Sequence, residues 1–197
     1  MSKTELLRTV RDEVWNLQQS PLYTYRKQNN YYPVLGEGNH DAHIMFIGEA
    51  PGKNEAQTGR PFCGAAGRIL DELLASITLE RKDVYITNIV KDRPPENRDP
   101  EPNEIELYGP FLKRQIEIIQ PHVLATLGRF SMHYVLEWLD LPEKLESISA
   151  LHGTVIQTIA SYGPLHVIPL YHPAVAIYSR STKSTLLKDF TVLSQFA

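Results

Sequence analysis

The chain has 197 residues, 42% of them hydrophobic and 22% charged, with a formal charge of −3 and a single cysteine, Cys63. These values describe a globular protein with a real core and one domain over residues 1–197, and they exclude an internal disulfide or a multi-cysteine metal cage. No apolar run approaches the ~20 residues of a membrane span, and Met1–Glu5 lacks the apolar centre of a signal peptide, so no membrane partner and a cytoplasmic location are expected.

Ser2-Lys3-Thr4-Glu5 has capping-box spacing. Leu6, Val10, Val14 and Leu17 then recur at helical spacing, which predicts a first helix to about Gln19, ended by Pro21. Leu22 to Gly38, with four tyrosines, one proline and two glycines, reads as an ordered extended arm over the core. His43 to Ile47 is a short apolar run suited to a strand buried on both faces. It stops at the turn Gly48-Glu49-Ala50-Pro51-Gly52, and a second glycine-rich segment, Gly59-Arg60-Pro61-Phe62-Cys63-Gly64, follows. Gly67 to Ile77 then carries Ile69, Leu70, Leu73, Leu74 and Ile77 on one helical face.

Val84 to Val90 is the second strand, rich in β-branched residues. Lys91 to Asn103 is a proline-rich loop. Glu104 to Gln120 is an amphipathic helix in which Gly109-Pro110 predicts a kink or a restart. Val123 to Leu127 is the third strand, followed by a helix over Ser131 to Leu139. Thr154 to Ile156 is a candidate edge strand, Val167 to Tyr171 is the last strand, and Ser184 to Phe196 is a closing helix. Strands alternating with helices predict an α/β fold, a three-layer α/β/α sandwich around a mostly parallel four-stranded sheet.

Ligands bind such sheets beyond the carboxyl ends of the strands. Glu49, Asn88 and His172 each fall at the end of a different strand. The glycine spacing at Gly48–Gly52 is wrong for a dinucleotide fingerprint, and no Gly-Lys-Ser/Thr follows to make a phosphate loop. Asn88 inside an apolar strand is a buried amide whose donors and acceptors need partners. These parts suit a pyrimidine turned out of a nucleic acid. Phe62 offers a ring to stack on. The Asn88 carboxamide matches the O4 and N3–H edge of uracil and mismatches cytosine. His172 can donate to the base oxygen O2 as negative charge builds there. The net charge argues against a nucleic-acid partner only weakly, because phosphate binding depends on local clusters. Lys91, Arg93 and Arg98, with Arg60, Arg180 and Lys183 in other loops, form one candidate cluster.

Five segments in order resemble the motif series of the family-four uracil-DNA glycosylases. They are Gly48-Glu49-Ala50-Pro51-Gly52, Gly59 to Gly67, Tyr85-Ile86-Thr87-Asn88-Ile89-Val90-Lys91, Arg93-Pro94-Pro95-Glu96-Asn97-Arg98, and Tyr171-His172-Pro173-Ala174. The likeness runs over about residues 17 to 190. It implies an enzyme that hydrolyses the N-glycosidic bond of uracil in single- or double-stranded DNA, acting as a monomer near the nucleoid. Gly48, Glu49, Phe62, Asn88 and His172 would bind uracil, and His172, Asn97 and Glu49 would be catalytic. Asn97 would help to place the attacking water. Glu49 would either orient water or stand against C5 and exclude the thymine methyl. Arg60, Lys91, Arg93, Arg98 and Arg180 would meet DNA, with Ala176, Ile177 and Tyr178 in the loop that enters the duplex and Ile177 or Tyr178 as the wedge.

The chain departs from that family in one respect. The four cysteines that hold a [4Fe–4S] cluster in the family correspond here to Leu17, Ser20, Asp92 and Tyr108, so no iron–sulfur cluster and no other metal or cofactor is expected. The alternative readings are a non-catalytic DNA-binding module of the same fold and a glycosylase for another deaminated base, such as hypoxanthine.

Overall fold

A computed structural model describes residues 1–177 and 179–196. The first helix, α1 (Lys3–Trp15), starts on the expected capping box: Glu5 N–H donates to Ser2 Oγ at 3.3 Å and Ser2 N–H to Glu5 Oε2 at 2.7 Å. Such a cap is worth about 1 kcal/mol. The expected extended arm is partly a helix, α2 (Pro21–Gln28). Pro21 opens it rather than ending the previous one, because proline fits the first helical position, where no N–H is needed. Ser20 caps it by accepting the Leu22 N–H at 3.1 Å.

Among the described residues six strands form one sheet, two more than expected. They are β1 (Glu37–Gly38), β2 (Ile44–Gly48), β3 (Tyr85–Asn88), β4 (Val123–Leu127), β5 (Ile156–Ala160) and β6 (Gly163–Leu170), in the order β1-β3-β2-β4-β6-β5. The middle four, β3, β2, β4 and β6, are mutually parallel, as the sequence predicts. The two additions are antiparallel edges. β1 is too short to have a pattern, and β5 shows the alternating burial of a one-sided edge strand. Helices α3 (Lys53–Thr58) and α4 (Ala65–Ser76) follow β2, α5 (Pro102–Ile119) follows β3, and α6 (Arg129–Trp138) follows β4. Short α7 (Ile148–Leu151) precedes β5, and α8 (Arg180–Phe190) closes the chain with a 3-10 turn over Thr191–Phe196.

Side chains alternate across each central strand, so every strand feeds two cores. Met45 and Ile47 of β2 pack with Leu112 and Ile116 of α5 and with Met132 and Val135 of α6. Ile44 and Phe46 pack on the other face with Leu70 and Leu73 of α4 and Leu186 and Phe190 of α8. This is the α/β/α sandwich. Helix α5 continues through Gly109-Pro110, so of the expected kink or restart there is no restart. It packs in two apolar clusters, Tyr108 in one and Leu112, Ile116 and Ile119 in another. Gly109 is there because Tyr134 lies against it: a Cβ would stand 2.3 Å from the Tyr134 hydroxyl oxygen.

The strand order places β2 between β3 and β4, so the chain leaves β2 in both directions. That switch point opens a crevice beyond the carboxyl ends of the strands. One wall of it is seated by α4. A Cβ on Gly67 would stand 1.7 Å from the Phe62 carbonyl oxygen. Gly67→Ala is therefore expected to destabilise the protein by about 1–3 kcal/mol, read as a lower thermal midpoint; an unchanged melt would mean that α4 is seated differently.

Candidate active site

A cleft of about 530 Å³ lies in that crevice, and Glu49, Phe62, Asn88, Asn97 and His172 all line it. The five side chains singled out from the sequence thus come together from separate segments of the chain. β2 and β3 pair in parallel with Gly48 directly opposite Asn88. A Cβ on Gly48 would stand 2.3 Å from Asn88 Oδ1 and 2.7 Å from the Phe62 ring. Only a glycine lets the amide and the ring share this space. Asn88 is 2% exposed, and among the described residues its carboxamide has no hydrogen-bond partner. The carboxamide borders the cleft, so a ligand or water that enters there can meet its donors and acceptor.

Phe62 is held from behind. Its backbone sits in the left-handed region at φ +48°. Arg81 Nη2 donates to its carbonyl, and Arg81 Nη1 donates to that of Pro61 at 3.0 Å. Glu55 Oε1 accepts the N–H groups of Cys63 and Gly64, each at 3.1 Å. The ring centre lies 5.7 Å from the His172 imidazole, with the planes 32° apart. His172 Nδ1 accepts the Ala174 N–H at 3.2 Å, so the ring proton is on Nε2. Desolvation pushes the His172 pKa down to about 4, against a smaller opposing pull from Glu55. The histidine is therefore a neutral hydrogen-bond donor at ordinary pH.

Glu49 is pushed the other way. Desolvation, then the nearby Asp99 charge, raises its pKa to about 7, with Arg129 opposing. Arg129 pairs with Asp99 at 3.4 Å. Asp99, Glu49 and His172 also border an adjoining cleft of about 410 Å³, lined by Arg129, Phe130 and Tyr171. Glu55, Asp99 and Arg129 were not singled out from the sequence. Glu55 lies on short α3, which left no readable periodicity, and Asp99 comes from an irregular loop.

The expected basic cluster is largely withdrawn from solvent. Lys91 is fully buried, and its ammonium donates to Asn88 O at 2.6 Å, Thr87 Oγ1 at 2.9 Å and Gln115 Oε1 at 2.5 Å. Burial also carries its pKa well below the ordinary lysine value. Arg93 is 9% exposed and bonded on both sides of its fork. Both the Lys91 ammonium and the Arg93 guanidinium have protein partners that the loop's fold brings to them. Arg98 pairs with buried Glu104 at 2.6 Å, and Arg60 with Glu37 at 2.9 Å, although the Arg60 side chain stays mostly exposed. Lys183 pairs with Glu72. Ala176 is buried at 7%, which removes it from the expected DNA-facing set. Ile177 and Val175, at 39% and 40%, are exposed apolar residues on the loop after His172. Tyr178 lies outside the described residues. Arg180 opens α8.

The model of the uracil DNA glycosylase superfamily matches residues 35–192. The chain belongs to this superfamily. It is 47% identical to a type-4 uracil-DNA glycosylase of Saccharolobus solfataricus, across 92% of this chain and 82% of the relative. It is 43% identical to the type-4 enzyme of Archaeoglobus fulgidus, across 87% of this chain and 84% of that one. It is 40% identical to the one of Thermotoga maritima, across 99% and 96%.

The positions that correspond to the cluster cysteines of the resembling family do meet in this fold. Leu17 and Tyr108 share one apolar cluster. Tyr108 donates its hydroxyl hydrogen to Asp92 Oδ2 at 2.6 Å, and Ser20 Oγ lies 2.8 Å from the same phenol. A phenol has one hydrogen, so Ser20 is the donor there. Arg26 Nη1 stands 3.0 Å from both Asp92 oxygens. These residues do not fit an iron–sulfur cluster. They supply no thiolate, their oxygens are spent on one another, and a guanidinium cation stands among them. Cys63 is elsewhere, 3.3 Å from Thr58 Oγ1.

The two shifted groups are directly measurable. By NMR titration His172 is expected to stay neutral down to about pH 4 and Glu49 to titrate near 7. The unfolded histidine binds its proton near 6.5 and the folded one near 4, so the native state loses stability as pH falls through that window. His172→Asn should lose less there; equal losses would put the acid sensitivity elsewhere.

Proposed function

We propose that this protein is a uracil-DNA glycosylase, a monofunctional hydrolase that removes uracil from DNA at the start of base-excision repair. The observation that carries this reading is the carboxamide of Asn88, which lines one cleft with the Phe62 ring and the His172 imidazole. A uracil turned into the cleft would stack on Phe62. Asn88 Oδ1 would accept its N3–H while Nδ2 donates to O4. Cytosine presents the reverse pattern and would leave buried groups unpaired. His172 would donate from Nε2 to O2, where charge gathers as the C1′–N1 bond breaks. Its low pKa suits it to stabilise the departing anion by hydrogen bonding, without transferring its proton.

The carboxylates at the cleft suit the other half of the transition state. As the bond breaks the sugar becomes oxocarbenium-like, and Glu49 and Asp99 bring negative charge toward it. Glu49, with a pKa near 7, is poised to accept a proton from the attacking water. Water adds to C1′, the bond to N1 breaks, and the products are uracil and an abasic site. The chemistry needs no metal, and the Ser20, Asp92 and Tyr108 oxygens support a protein that works without an iron–sulfur cluster. The protein would act as a monomer in the cytoplasm, at the nucleoid, on uracil in single- or double-stranded DNA. Ile177 is the favoured wedge, as an exposed apolar residue just past the catalytic histidine.

Purified protein, free of stoichiometric iron and acid-labile sulfide, is expected to release uracil from uracil-containing oligonucleotides. Asn88→Ala should cut that release by about 100-fold or more while the melting curve is kept. Release of hypoxanthine in place of uracil, or full activity in Asn88→Ala, would overturn the assignment. The role of Glu49 is read from pH. If it takes the water proton, the rate rises through pH 7 and Glu49→Gln abolishes that rise. If it only excludes a methyl group, the profile survives in Glu49→Gln and Glu49→Ala begins to release thymine.

A further inference from the structure

Two adjacent residues of the loop between β3 and α5 are gripped from the α2 region. Arg26 holds Asp92, and its guanidinium also donates to the carbonyls of Val14 at 3.2 Å and Trp15 at 2.6 Å, at the end of α1. Arg93, the next residue, donates from Nη1 to the hydroxyls of Tyr25 at 2.9 Å and Tyr31 at 3.2 Å, and lies 5.5 Å from the Tyr31 ring centre. Its Nε–H donates to Asn97 Oδ1 at 2.7 Å. Glu96 and Asn97 sit in the left-handed region, with φ of +55° and +56°. Two successive non-glycine residues stay in that region only when their surroundings hold them there.

A guanidinium carries donors and no acceptor, so the Asn97 atom that faces Arg93 is the oxygen. The carboxamide is thereby oriented. Oδ1 is committed to Arg93, and among the described residues the NH2 donates to nothing. Asn97 lines the cleft. We propose that Arg93 is a positioning residue that makes Asn97 a hydrogen-bond donor at the cleft, aimed at an oxygen of the bound nucleotide or of the attacking water. The buried Arg26–Asp92–Tyr108–Ser20 network anchors Asp92 and so fixes the backbone from which Arg93 reaches out. Proton acceptance is left to a carboxylate, and Glu49, Glu55 and Asp99 all line the cleft. The inference rests on the glycosylase reading and adds to it the direction of one hydrogen bond.

The test compares Asn97→Asp, Asn97→Leu and Arg93→Lys with the parent under single turnover at saturating uracil-containing DNA. The Asn97→Asp change keeps the acceptor for Arg93 and removes the donor, so it should lower excision about 100-fold, as Asn97→Leu should. The aspartate variant should melt no earlier than the parent, because its carboxylate still takes the Arg93 Nε–H. Arg93→Lys should slow the single-turnover step about tenfold with little change in DNA affinity. Retention of activity in Asn97→Asp to within about threefold would overturn the donor role. A melting temperature of Asn97→Asp as low as that of Asn97→Leu would overturn the hydrogen-bond geometry, whatever the activity. An Arg93→Lys effect confined to DNA affinity would overturn the positioning role. A parent protein that releases no uracil would sink the glycosylase reading, and the melting comparison would still decide the geometry.

Discussion

The contact between Gly48 and Asn88 is the constraint on which the site depends. Two parallel strands, each buried on both faces, bring a glycine and an asparagine side by side at their carboxyl ends. The missing Cβ leaves a slot that the amide and the Phe62 ring fill together. The sheet tolerates a polar side chain there because the strand ends at that point and a cleft begins. The rest of the wall follows from this slot. Gly67 lets α4 press up to the Phe62 carbonyl, and Arg81 and Glu55 hold the loop on either side of the ring.

The cleft brings two kinds of group together. A neutral histidine and an amide can meet negative charge with hydrogen bonds. The carboxyl groups of Glu49 and Asp99 line the same cleft. Burial sets both protonation states. It strips the charge from His172 and lifts Glu49 to where a small change of pH alters its form. One physical cause thus tunes an electrostatic donor and a candidate base in opposite directions.

Several cations that look from the sequence like a phosphate-binding cluster instead act inside the protein. Lys91 binds the Asn88 carbonyl and so steadies the strand end that carries the cleft amide. Arg93 orients Asn97, and Arg26 neutralises Asp92. A buried arginine–carboxylate pair adds little stability in itself, because desolvation offsets its Coulomb energy. What it does provide is geometry, since neither partner can leave without stranding the other. In this chain that geometry ties α1, α2 and the loop of Asn97 together at the positions where the resembling family carries cysteines.

The α/β class, the central parallel strands, the capped first helix and four cleft residues, Glu49, Phe62, Asn88 and His172, were legible in the sequence itself, and Asn97 only through the family resemblance. Their signals are local: two-faced apolar runs, a capping box, glycines in fixed order, and an asparagine in a strand that has no use for one. The α2 helix, the β1 edge, the true extent of the β5 edge and the unbroken α5 were not, because each is stabilised by packing against distant segments that local pattern does not record. Charge was the least legible property. A lysine in a loop looks alike whether it faces solvent or donates to a buried carbonyl, and only the tertiary structure decided that Lys91 and Arg93 point inward. The same holds for protonation and hydrogen-bond direction. The residue types were given by the chain, but burial decided that His172 is neutral and Glu49 poised near neutrality, and the Arg93 fork decided which end of Asn97 faces the cleft.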